Sequence, residues 1–172
     1  MAVKYIAFVC RENRARSQMA QACFNLLKRM YFPVDSQYEA ISWGSNPSTK
    51  GINPKLIYPM DIVGVDMTDR LKYFPKGITS AAISEKLCEV VRVYTMGCDV
   101  ACDLPEGFSV AGDWGIKDFE WSEADVVAVR DKILGKTLEL IQELLEKEQD
   151  CSRKPCPRPT PAWPQQEPGI DY

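Results

Sequence analysis

The chain has 172 residues, 45% of them apolar and 26% charged, with a formal net charge of −3 and no histidine. One soluble domain with a real core fits that length and composition. The acidic balance gives no support to a nucleic-acid partner, no apolar run approaches a membrane span, and Cys–His catalytic pairs are excluded outright.

Val3–Val9 reads as a buried strand, and Ser17–Tyr31 as a helix with Met19, Cys23, Leu26, Leu27 and Met30 on one face. Between them lies Cys10-Arg11-Glu12-Asn13-Arg14-Ala15-Arg16-Ser17, a tight loop at a strand-to-helix junction. Five residues between a cysteine and an arginine can curl so that backbone N–H groups point at one tetrahedral anion, and the helix adds its positive end. Arg16 contributes a planar fork for two anion oxygens. Cys10 then sits beneath the anion, where the same field stabilises a thiolate. Ser17 either caps the helix or donates its hydroxyl to Cys10. Without histidine, activation of Cys10 falls to dipoles, hydroxyls and cations. Cys23 lies in the apolar stripe and reads as core.

Tyr38–Trp43 is a short second strand ended by Gly44-Ser45-Asn46-Pro47. A second helix is predicted from Pro54 to Val63, stopped by Gly64, and a third from Thr79 or Ser80 towards Leu87. Val90–Thr95 is a β-branched run that reads as a strand buried on both faces. Phe108–Ala111 is a fourth strand. Ser122-Glu-Ala-Asp125 resembles a capping box with Asp replacing Glu; it opens a long helix with Val127, Leu134, Leu138, Ile141 and Leu145 on one side. Strands alternating with helices predict an α/β fold, a four-stranded parallel sheet with helices on both faces. In such folds ligands bind beyond the carboxyl ends of the strands. The Cys10 loop, Gly97-Cys98 and the loop Asp113–Asp118 are therefore expected to converge.

Residues 1–149 form the expected catalytic domain. The remainder, 150–172, contains Pro155, Pro157, Pro159, Pro161, Pro164 and Pro168 and reads as an extended tail that packs no core of its own. Two other readings of it are a redox pair, Cys151 and Cys156, and a partner-recruiting segment, with Trp163 as an anchor. Seven cysteines, an odd number, argue for a reducing cytoplasm rather than a disulfide framework. The spacings Cys98-x3-Cys102 and Cys151-x4-Cys156 are looser than a C-x2-C zinc knuckle, so no metal is expected.

These residues resemble the low-molecular-weight protein tyrosine phosphatase superfamily, and most of all the arsenate reductases built on that fold. The anchors are Cys10-x2-Asn13-x-Ala15-Arg16-Ser17-Gln18-Met19-Ala20, Trp43-Gly44-Ser45-Asn46-Pro47 with Asn53-Pro54, Gly64-Val65-Asp66-Met67, Thr95-Met96-Gly97-Cys98, and Asp113-Trp114-Gly115-Ile116-Lys117-Asp118. The resemblance implies that Cys10 is the nucleophile, Arg16 the oxyanion clamp and Asn13 the residue that holds the loop in a strained shape. It gives Ser17 the thiolate. The loop residues Arg11, Glu12, Asn13, Arg14 and Ala15 would line the bound anion. Asp118 would be the acid that protonates the departing oxygen. Two departures stand out: Phe119 follows the acid where the family commonly has proline, and Glu12 lies in an anion-binding loop, where it is expected to face solvent.

Phosphatase and reductase differ in the fate of the covalent intermediate. A phosphatase admits water; an arsenate reductase lets a second thiol attack Cys10 and carries the disulfide outward. Hydrolytic relatives usually have aspartate after the methionine, where this chain has Gly97-Cys98, so Cys98 and Cys102 point to the relay. The resemblance then implies no bound cofactor, a small oxyanion as substrate (arsenate or a phosphate ester), and an external thiol reductant, either thioredoxin or a small thiol such as mycothiol or glutathione. The alternative is a tyrosine phosphatase with Phe119 and Trp121 as ring walls. A third reading, a non-catalytic anion or redox sensor with Cys10 oxidised reversibly, sits poorly with the presence of Arg16, Ser17 and Asp118.

Overall fold

The computed structural model describes residues 2–34, 36–97, 104–116 and 121–153. Four strands, β1 (Lys4–Cys10), β2 (Tyr38–Gly44), β3 (Val90–Thr95) and β4 (Val110–Asp113), form one parallel sheet in the order β2-β1-β3-β4. The helices are α1 (Arg16–Tyr31), α2 (Ile57–Asp61), α3 (Ala81–Ser84) and α4 (Glu123–Arg153). Single 3-10 turns occupy Pro54–Leu56 and Leu87–Glu89. This is the doubly wound arrangement predicted. After β1 the chain moves to one side for β2, then crosses to the other for β3, so β1 ends at the switch point where such sheets bind ligands.

Both sheet faces are covered. Ile6, Phe8 and Cys10 of β1 face the larger core with Met19, Cys23 and Phe24 of α1 and Val126, Ile133 and Ile141 of α4. Ala7 and Val9 face a smaller core of Ile41, Trp43, Ile83 and Val93. The alternation is the strand period of two, apolar on both sides because both sides are dry. Phe8, Tyr94 and Trp114 form a ring cluster with centroids 5.1–6.1 Å apart.

Several elements differ from the sequence expectation. In β3 only Val93, Tyr94 and Thr95 are buried; Val91 is 48% exposed, while Val90 packs partly buried against the smaller core. β4 begins at Val110, since Phe108 closes a turn onto the Pro105 carbonyl and pairing with β3 starts at Val93↔Val110. Met30 leaves the α1 stripe and is 67% exposed; the chain reverses after Tyr31 and Phe32 enters the core instead, edge-on to Tyr38. The Pro54–Val63 helix divides into a 3-10 turn and α2, and the third helix shrinks to the four residues of α3.

Of the predicted α4 stripe, Ile141 is buried and Leu134 and Leu145 pack partly buried on the core, whereas Val127 and Leu138 are not part of it; Val126, Arg130, Ile133, Thr137, Leu140 and Leu144 complete the buried face. Arg130 is tolerated because its guanidinium donates to the Pro59 carbonyl at 2.8 Å, and Thr137 because its hydroxyl donates to Ile133 O at 2.7 Å. The capping box forms as read. Asp125 N donates to Ser122 Oγ at 3.1 Å and Ser122 N to Asp125 Oδ2 at 3.3 Å. α4 runs on through Arg153, past the expected boundary at 149. Among the described residues no helix is long and apolar enough to cross a membrane.

Candidate active site

β1 delivers Cys10 to the carboxyl edge of the sheet, and α1 begins six residues later at Arg16. The loop between them is shaped by its surroundings. The carbonyls of Cys10, Arg11, Glu12 and Arg14 accept hydrogen bonds from the amides of Ser45, Asn46, Ser48 and Asn53, at 2.8–3.2 Å. A trans peptide is planar, so a carbonyl turned outward turns the next N–H inward. The amides of Arg11, Glu12, Asn13 and Ala15 thus face the loop's centre. Asn13 N confirms the sense, lying 3.3 Å from Cys10 Sγ. The segment after β2 is therefore the outer wall that holds the cradle open.

Asn13 has a positive φ of 51°, a conformation that asparagine tolerates better than most residues. Its side chain secures the turn. Nδ2 donates to Ser17 Oγ at 2.8 Å and Ser42 Oγ at 3.0 Å; Oδ1 accepts from Gln18 Nε2 and from Lys76 N, each at 3.0 Å. Ser42 Oγ donates in turn to Gln21 Oε1 at 2.7 Å. Ser17 Oγ also lies 2.9 Å from Cys10 Sγ, within hydrogen-bond distance. Ser17 does not cap the helix, because Ala15, which has no side-chain acceptor, holds the cap position.

Arg16 is buried, 6% exposed. Its Nη1 donates to Ile116 O at 2.8 Å and lies 3.4 Å from Met96 O. Those two carbonyls belong to the chain just after β3 and β4, so the guanidinium ties all three expected loops together. Asp113 closes the same junction, accepting from Thr95 Oγ1 at 2.5 Å, Gly97 N at 3.1 Å and Gly115 N at 2.6 Å. Gly97 has φ +74°, and a Cβ there would lie 2.7 Å from Ile116 N; only glycine lets the two loops touch.

Above Cys10 is a cavity of about 200 Å³ lined by Cys10, Arg11, Glu12, Arg14, Ala15, Arg16, Asn53 and Trp121. Its size suits a small anion. Arg14 is pinned by Nε to Gly51 O at 3.2 Å. Arg11 and Glu12 are exposed at the rim, as expected for Glu12. Trp121 packs partly on the main core and partly lines the mouth, so it serves both readings of the sequence. Asp118, Cys98 and Cys102 lie outside the described residues, as do Phe119, Cys156 and Trp163. Cys23 is wholly buried and its thiol is pushed up to about 12, chiefly by desolvation, which suits its core role. Gln18 stood in the motif without a role, and Ser42, Gln21 and Lys76 were not singled out by sequence. Polar residues in an apolar helix or strand give no sign of which atom they support.

The arrangement is a preorganised anion cradle with a thiol at its base. No family model matches the chain. A Halobacterium salinarum protein named "Putative arsenate reductase" is 26% identical over 137 residues, 79% of this chain and 89% of that protein. A solved arsenate reductase in its phosphate-binding state superposes with a TM-score of 0.63 at 24% identity, over 82% of this chain and 98% of the other. A thioredoxin-dependent arsenate reductase of Corynebacterium glutamicum gives 0.61 at 24%, over 86% and 64%. A low-molecular-weight protein tyrosine phosphatase of T. tengcongensis gives 0.58 at 21%, over 84% and 99%. The fold is that of the low-molecular-weight tyrosine phosphatases and of the arsenate reductases that share it. The resemblance read from the sequence is borne out at that level.

Proposed function

We propose that this protein is an arsenate reductase that works through the Cys10 thiolate. The observation that carries the reading is the loop itself: inward amides, a thiol held by Ser17 and Asn13, and an anchored Arg16 around one small cavity. The Halobacterium relative and the position of Cys98, one residue after Gly97, favour arsenate over a phosphate ester.

In this scheme Cys10 Sγ attacks arsenic in line while Asp118 protonates the departing oxygen, giving a thiolate–arsenic(V) adduct. The cradle amides and Arg16 hold the remaining oxygens. Cys98 then attacks Cys10 Sγ. The S–As bond breaks with its electron pair on arsenic, releasing arsenite and leaving a Cys10–Cys98 disulfide. Cys102 displaces Cys10 to give Cys98–Cys102, and an external thiol reductant restores both thiols. The thioredoxin dependence of the Corynebacterium relative makes thioredoxin the first reductant to try. The cycle needs a reducing compartment and no resident cofactor.

The test is arsenite formation under multiple turnovers with thioredoxin, thioredoxin reductase and NADPH, and in parallel with mycothiol and glutathione systems. Sustained release is expected, lost in Cys10→Ser and in Cys98→Ala, with aryl phosphate hydrolysis lost only in the former. Turnover by Cys10→Ser would remove the nucleophile from the scheme. Trp121 at the cavity mouth favours a second reading, a tyrosine phosphatase. Aryl phosphate hydrolysis with no arsenite from any reductant would establish that reading and end the first.

A further inference from the structure

Lys76 is 7% exposed, yet among the described residues no carboxylate lies within ion-pair distance of it. Its Nζ donates to the Phe74 carbonyl at 3.0 Å and stands 4.5 Å from the centre of the Phe74 ring. A buried amine with one neutral acceptor and an aromatic face is poorly solvated in its charged form. Burial pushes it down to about 8, and the neighbouring Lys86 pushes the same way.

Lys76 also lines a cavity of about 390 Å³ on the outer edge of the sheet, away from the Cys10 cradle. Charged residues reach it from every side: Glu39 from β2, Asp69 and Lys72 from the loop after α2, and Lys86 from beyond α3. With Lys76 as the free amine, Lys72 and Lys86 balance Glu39 and Asp69, and those two lysines are left to meet the phosphate group of an incoming anion. The same cavity is wired to the nucleophile loop. The Phe74 carbonyl that holds Lys76 also accepts from Gln18 Nε2 at 2.6 Å, and Gln18 Nε2 donates to Asn13 O and Oδ1. Lys76 N donates to Asn13 Oδ1, and Lys76 O accepts from Gly44 N at 2.9 Å.

We propose that Lys76 is an acyl-acceptor site: its amine takes an acyl group from a small acyl phosphate admitted to this cavity, and the amide so formed slackens the Cys10 loop. The nitrogen lone pair attacks the acyl carbonyl and an N–C bond forms. The C–O bond to phosphorus-bound oxygen breaks, inorganic phosphate leaves with the electron pair, and the amine proton passes to solvent. Acylation removes the charge that holds the Phe74 carbonyl and adds bulk beside the 74–76 strap, so Gln18 and Asn13 lose their fixed partners.

The experiment treats the full-length protein with acetyl phosphate from about pH 6.5 to 9.5, desalts it, and measures acetylation at each lysine by peptide mass spectrometry. Lys147, an exposed lysine, is the comparator. The free amine is the nucleophile, so Lys76 is expected to lead the exposed Lys147 at neutral pH and to level off above about pH 8. Aryl phosphate hydrolysis is expected to fall in proportion to Lys76 occupancy, and in Lys76→Arg to be insensitive to acetyl phosphate. Lys76 lagging behind Lys147 at every pH would overturn the site, and that measurement needs no variant. Full occupancy without loss of hydrolysis would overturn its coupling to the loop.

Discussion

Ser17 is where residue chemistry bears most directly on rate. Its hydroxyl accepts from Asn13 Nδ2 and lies 2.9 Å from Cys10 Sγ, placed to donate to a thiolate there. A hydrogen bond to a charged partner contributes about 1.5–3 kcal/mol, so Ser17→Ala is expected to slow aryl phosphate hydrolysis by about ten- to a hundredfold. Steady-state kinetics on the folded variant check this; a wild-type rate in Ser17→Ala would show that Ser17 only packs. Cys10, Arg16 and Ser17 were legible in the sequence because their types and spacing are dictated by anion chemistry. Gln18 and Ser42 were not, because an amide or hydroxyl buried in a helix or strand looks the same whether it holds a catalytic turn or a water.

At the scale of elements, the outer wall of the cradle depends on Gly44 at the end of β2. A Cβ there would lie 2.6 Å from Arg11 O and 2.9 Å from Asn13 N, both backbone atoms of the nucleophile loop. Gly44→Ala is expected to cost about 1–3 kcal/mol in stability, as overpacking does, and to depress hydrolysis far more than that loss explains at temperatures where the protein stays folded. Urea melts and kinetics on the same preparation check it. Wild-type kinetics in the variant would mean that the loop yields freely. The order of strands and helices was readable because apolar runs alternate with amphipathic ones. Their extents were less so. α3 and the 3-10 turns are too short for a period to show, and the α4 stripe was read only in part because Arg130 and Thr137 enter the core with hydrogen-bond partners that only the fold supplies.

For the whole molecule, the two cores and the cradle are built, among the described residues, from those up to Leu144, with partly buried Leu145 at their margin. Removing residues 154–172 is therefore expected to leave the melting temperature and aryl phosphate hydrolysis unchanged. A fall of several degrees would show that the proline-rich segment packs on the domain, and unchanged hydrolysis with lost arsenite cycling would assign Cys156 to the relay. Convergence of three distant loops was legible from the rule for parallel sheets. The atoms that perform it, the Met96 and Ile116 carbonyls and the Asp113 carboxylate, were not, since a main-chain acceptor carries no sequence signature.

The tether of Arg16 sets when the site comes into being. Its two carbonyl partners lie 80 and 100 residues further along the chain, and β3 must slot beside β1 before either is in place. Contacts of such long range form late in folding, after the loop-closure entropy has been met. A ribosome-bound chain that ends before Met96 can fold α1 against β1 and still lack both of these carbonyls. The proposed clamp over Cys10 thus gains this tether only once β3 has joined the sheet and the chain has passed Ile116.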